Sequence, residues 1–164
     1  MTGTAKKLKV ETPNDLEIAI TRTFDAPRES VFEAHGEPAL LRRFMLGPPG
    51  WEMTECEMER KANGSWRWAW RHVDGQHMSI HGVIREWTPP VRFVSTQVME
   101  DKKCETLVTH EFSERDGKTI LTMTTRYPSR QMRDAALKSG MEYGAALSYD
   151  RLDNLLRSHD ARAT

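Results

Sequence analysis

The chain has 164 residues, and its 24 Lys plus Arg balance its 24 Asp plus Glu. That length suits one domain burying about 70% of the surface its unfolded chain exposes, and the charge balance offers no global field to draw nucleic acid or an anionic membrane. No apolar stretch approaches the ~18 residues of a spanning helix, residues 1–7 lack the apolar core of a leader, and Cys56 and Cys104 show neither zinc-site nor disulfide spacing, so a cytoplasmic protein with reduced thiols is expected.

Along the chain, residues 1–15 read as a flexible lead-in. Leu16, Ile18, Ile20 and Phe24 then recur at period two and predict a strand ending at Asp25-Ala26-Pro27. The period changes next: Val31, Phe32 and Ala34, and after Pro38 the residues Leu40, Leu41 and Phe44, predict two short helices, with Pro38 early in the second. Gly47-Pro48-Pro49-Gly50 is a loop. Six further strands follow over residues 52–59, 65–73, 78–87, 92–99, 105–113 and 119–127. They are punctuated by Asn63-Gly64, Asp74-Gly75, Pro89-Pro90 and Asp116-Gly117, the first, second and fourth supplying the positive-φ residues that tight turns need. Leu137, Met141, Gly144, Ala145, Ser148, Leu152 and Leu155 fall at steps of three and four. They predict one helix over residues 129–157, N-capped by Ser129 and spanning about 40 Å at ~1.5 Å per residue. Gly140 and Gly144 weaken such a helix by about 1 kcal/mol each, so close packing against a bulky sheet residue or room for a ligand must justify them. Residues 158–164 read as a loose tail. The whole is α+β: a curved seven-stranded antiparallel sheet around a long C-terminal helix, with the two short helices between the first and second strands.

Chemistry-bearing residues are sparse. Trp66, Trp68 and Trp70 alternate along one strand, so the three indoles share a face while Arg67 and Arg71 take the other. They are either a core wall under the helix or one wall of an apolar cavity. His35, His72, His77, His81, His110 and His159 match no metal motif; His77 and His81 are about 13 Å apart along a strand, too far to share an ion. His110, between Val108 and Phe112, is expected to look inward. There is no GxSxG elbow, no glycine-rich phosphate loop and no cysteine beside an evident base; Glu86, opposite in sidedness to Trp87, is the carboxylate to watch. The faces of the residue 78–87 strand stay open, because Ile80, Gly82 and Ile84 compete with Val83 and Trp87 for the inner side.

Four strings carry a resemblance: TRTFDAPRESVFEA from Thr21, NGSWRW from Asn63, HGVIREWTPPVRFVST from His81, and THEFSERDGKTILTMTTRYPS from Thr109 continuing to SGMEYG at Ser139. In this order they resemble the START-like SRPBCC superfamily, in the branch similar to the C-terminal domain of the activator of heat-shock protein 90 ATPase, over about residues 16–156. The resemblance implies a helix-grip fold and a hydrophobic cavity between helix and sheet that relatives use for lipids, hormones or polyketides. Phe44 stands where relatives commonly carry tryptophan, and Asn63-Gly64 where they often carry two glycines. The residues ahead of the first strand are too few for the separate domain with which the eukaryotic co-chaperone engages its chaperone, so a chaperone partner is not expected.

The leading expectation is a cofactor-free, metal-free protein holding an apolar or amphipathic small molecule, with Trp66, Trp68 and Trp70 as an aromatic wall, His110 as a polar contact, and Phe112, Met123 and Met141 as apolar lining. A cyclase or hydrolase using the same cavity through His110 or Glu86 is the second, and a protein-interaction module the third; no catalytic residue is assigned. The sequence leaves a homodimer open.

Overall fold

The computed structural model describes residues 8–100 and 104–163, with side chains through Ser158; residues 1–7 and the side chain of His159, read above, lie outside it. In chain order the elements are β1 (Lys9–Glu11), β2 (Glu17–Phe24), α1 (Arg28–Ala34), α2 (Pro38–Phe44), β3 (Trp51–Met58), β4 (Ser65–His72), β5 (His77–Thr88), β6 (Arg92–Met99), β7 (Cys104–Arg115), β8 (Lys118–Arg126), α3 (Arg130–Leu137) and α4 (Met141–Ala163). The class is α+β with one antiparallel sheet in the order β1-β2-β8-β7-β6-β5-β4-β3.

Three expectations are corrected. Helix α4 runs on to Ala163, through all but the last residue of the 158–164 segment read as a loose tail. The sheet has eight strands, because Lys9–Glu11, within the supposed lead-in, pairs with Ala19, Ile20 and Thr21. The C-terminal helix is two helices: α3 ends at the cap Lys138, and Gly140 turns the chain at φ +88° before α4 begins. That positive φ explains the helix-weakening glycine, since only glycine adopts it without strain. Gly144 meets no bulky sheet residue; a Cβ there would lie 3.7 Å from Pro48 Cδ and 3.9 Å from Gly47 Cα, so the glycine lets α4 sit against the α2–β3 loop. Ser148 Oγ fixes this contact by accepting from Gly47 N at 3.0 Å.

Local chemistry sets the other boundaries. Ser129 caps α3 by accepting from Met132 N, and Pro38 opens α2. Asn63 and the Asp116-Gly117 pair take positive φ at their turns. β5 is irregular between Ile84 and Glu86, and this shift settles its faces: Ile80, Ile84 and Trp87 all join the core side, whereas Glu86 pairs outside with Arg92 at 3.2 Å. Gly82 serves a close approach: a Cβ there would lie 1.9 Å from Thr96 O, directly under the Trp66 indole.

The core lies between the concave sheet face and the helices. Leu152 and Leu156 of α4 join Phe24 and Leu121 in the core, and Phe24 meets Tyr149 edge to face at 5.6 Å. Phe32 of α1 packs on Trp87, Phe93 and Phe112 at ring separations of 4.9, 5.6 and 5.1 Å, while Leu41 and Phe44 of α2 are fully buried. Each such buried side chain contributes roughly 1.5–3 kcal/mol. A buried ion pair lies inside: Arg22, with 3% of its side chain exposed, points from β2 to α4, reaching Asp150 at 2.8 Å and the equally buried Asp153 at 4.0 Å. Asp153 also accepts from Asp25 N and pairs with Arg157, so α4 is tied to the sheet through its middle turns.

Candidate functional site

Between the sheet and the two C-terminal helices is a cavity of about 480 Å³. The strand register builds its floor in rows. Phe93, His110 and Met123 are cross-strand neighbours, and the next row is Ser95, Val108 and Thr125. Met99 and Cys104 lie across from one another further along. From Cys104 to His110 is about 20 Å of strand at ~3.3 Å per residue, which sets the long axis. The roof comes from Met132, Ala135 and Ala136 of α3 and Met141, Ala145, Ser148 and Tyr149 of α4. Met132, Ala135 and Ser139 are also exposed, so the cavity meets solvent at the α3 end. His35 closes the opposite end and is 1% exposed.

Trp66, Trp68 and Trp70 share the inner face and form one wall, with neighbouring rings 4.9 and 6.2 Å apart. Their N–H groups have different fates. Trp66 Nε1 donates to Thr96 O at 3.2 Å and Trp70 Nε1 to Met45 O at 2.8 Å, whereas Trp68 Nε1 is buried with no protein partner. Arg67 and Arg71 point outward to Glu55, Glu100 and Glu52. Arg67 and Ser79 hold the Glu100 carboxyl down at about 2, an ion-pair cluster on the outer face.

Of the other sequence-predicted site residues, His110, Met123 and Met141 line the cavity and Phe112 does not. Phe112 shares the inner face but lies one inward step beyond His110, where Phe32 of α1 and the His35 ring cover it. His35, which matched no metal motif and was assigned no role from sequence, has its ring 5.4 Å from that of His110. Its signal was positional: His35 follows Val31 by four residues and so continues the apolar stripe of α1, from where Nδ1 reaches Val31 O at 2.8 Å. Burial holds His35 down at about 4 and pushes His110 well below its ordinary range, the neighbouring imidazole adding to the latter. Both rings are therefore neutral at physiological pH. His110 is stacked on Phe93 at 4.2 Å, which fixes its plane. Burial pushes Tyr149 the other way, up, so it keeps its proton, and its hydroxyl lies 3.7 Å from Met123 Sδ.

Among the described residues lining the cavity none is Asp, Glu, Lys or Arg. No group of three His, Cys, Asp or Glu among the described residues is placed to hold a metal ion, and Cys56 and Cys104 are free thiols. No described helix is long and apolar enough to cross a membrane.

The model of the family described as Activator of Hsp90 ATPase homolog 1-like protein matches residues 25–157. The chain belongs to that family. The Activator of Hsp90 ATPase homolog 1-like family places it in the START-like SRPBCC superfamily, as the four sequence strings implied. Solved structures of similar proteins agree with the fold. One from Rhodobacter sphaeroides is 28% identical, with a TM-score of 0.86 over 93% of this chain and 99% of the other. Protein Ms6760 from Mycobacterium smegmatis is 23% identical, with a TM-score of 0.80 over 90% and 95%. An Activator of Hsp90 ATPase homolog 1-like family protein from Silicibacter pomeroyi is 19% identical, with a TM-score of 0.70 over 87% and 99%. No curated protein matches the sequence.

Proposed function

We propose that the protein is a small-molecule binding protein that encloses an apolar or amphipathic metabolite between the sheet and helices α3 and α4. The observation that carries this reading is the cavity itself: about 480 Å³, walled by three indoles and several methionines, uncharged among the described lining residues, and reaching solvent beside α3. Such a volume falls in the range of small-molecule sites, and thioethers adapt to irregular ligand shapes. Enclosing about 300 Å² of apolar ligand surface contributes about 7 kcal/mol before the costs of association. The lowered basicity of His35 and His110 supports binding over proton transfer, because so weak a base abstracts protons poorly at neutral pH.

Native mass spectrometry of protein purified from its own host tests the reading. A reproducible mass increment that disappears on denaturation is expected. Repeated spectra of bare protein, together with failure to take up any apolar probe, would overturn it.

A further inference from the structure

We infer that the ligand is an uncharged molecule whose hydroxyl group sits at the deep end of the cavity, donating its proton to His35 Nε2 and facing His110 Nδ1. This rests on the cavity being a binding site and specifies what enters it. The hydrogen-bond inventory of the deep end leads there. Val31 O can only accept, so the 2.8 Å contact from His35 Nδ1 places the imidazole proton on that nitrogen. His35 Nε2 is left as a bare acceptor, buried, without a protein partner, on a ring that lines the cavity. His110 Nδ1 is likewise buried and unpartnered on the adjacent ring. A carbonyl or ether oxygen has no proton for His35, and an ammonium or carboxylate would enter a cavity whose described lining holds no counter-charge. A hydroxyl gives its one proton to His35 Nε2 and accepts from His110 in the tautomer protonated at Nδ1, so one group answers both imidazoles. Phe93 stacked on His110 and Met123 beside it in the same row form an apolar collar around that position, suited to an aryl or alicyclic carbon carrying the hydroxyl. Near the other end, Trp68 Nε1–H is a donor still open to an acceptor on the ligand body.

The test uses four probes of one shape: meta-benzylphenol, its methyl ether, the hydrocarbon diphenylmethane and the anion meta-benzylbenzoate. Each is titrated into the full chain and followed by tryptophan fluorescence. The phenol is expected to bind about tenfold more tightly than its methyl ether, the value of one satisfied buried hydrogen bond, and the benzoate at least about a hundredfold more weakly than the phenol. His35→Phe is expected to bring phenol and ether within about twofold. Nitrogen-15 NMR of the wild-type histidine rings supplies a readout independent of that variant's folding: the His35 Nε2 resonance moves on adding the phenol and stays in place with the ether. Equal binding of phenol, ether and hydrocarbon, with the His35 resonance unmoved, would show that water alone satisfies the two rings and would overturn the inference while leaving the binding cavity intact. Failure of all four probes would remove the inference together with the binding function.

Discussion

Acid should weaken this fold before its carboxylates titrate, because His35 is held down to about 4 from an ordinary 6.5. The sign follows from proton binding: between those two values the unfolded chain carries a proton on His35 that the folded chain refuses, so the unfolded state gains as the pH falls. The stabilisation is present above the ordinary value and lost on descending toward the folded one. At about pH 5 the unfolded imidazole is almost wholly protonated and the folded one mostly neutral, which costs about 2 kcal/mol relative to about pH 7 from this group alone. His110, lowered in the same direction by burial and by His35, adds to the loss. Tyr149, the other titratable ring facing His35 at 6.1 Å, is pushed upward and contributes nothing in this window. Urea unfolding at several pH values measures the effect, and His35→Phe should flatten part of the profile. Stability constant to within about 0.5 kcal/mol between about pH 7 and pH 5 would refute the assignment of a buried, neutral imidazole.

Three further outcomes are expected from the packing of the sheet and α4. Arg22→Met removes the guanidinium that meets buried Asp153, and a loss of about 3 kcal/mol in urea unfolding is expected, against under about 1 kcal/mol for Asp150→Asn, whose carboxylate is exposed. Gly82→Ala forces a methyl into Thr96 O, a backbone atom with no room to retreat; about 3 kcal/mol or more should be lost, visible as a lowered melting temperature. Ala145→Phe projects a ring from α4 into the cavity, and binding of any retained ligand or apolar probe should weaken more than about tenfold while the free energy of unfolding changes by no more than about 1 kcal/mol.

Strand content, turns and the shared face of the three indoles were readable because period-two alternation and Asn-Gly or Asp-Gly pairs are local signals. The break between α3 and α4 was not, since Leu137, Met141 and Ala145 keep helical spacing across Gly140 and spacing carries no φ. β1 was hidden by its length: in Lys9–Glu11 only Val10 is apolar, and the strand exists through its pairing with β2. Phe112 shows the limit of face assignment. Alternation placed its ring on the inner side, but what covers an inner side chain depends on where α1 docks. The faces of β5 depended on one irregular position near Arg85, invisible in a pattern that assumes regular pleating. His35 was missed because a single histidine ending a seven-residue helix looks unremarkable until the His110 strand is folded beneath it.

The Arg22 anchorage divides responsibility along α4. Its grip falls on Asp150 and Asp153, so the middle turns of the helix are held to the sheet by charge, while the cavity-lining turns before them are held by Ser148 on Gly47 and by Tyr149 on Phe24. Met141 and Ala145 make neither of these ties, so changes at those two positions would re-shape the chamber while leaving the anchorage of the helix untouched.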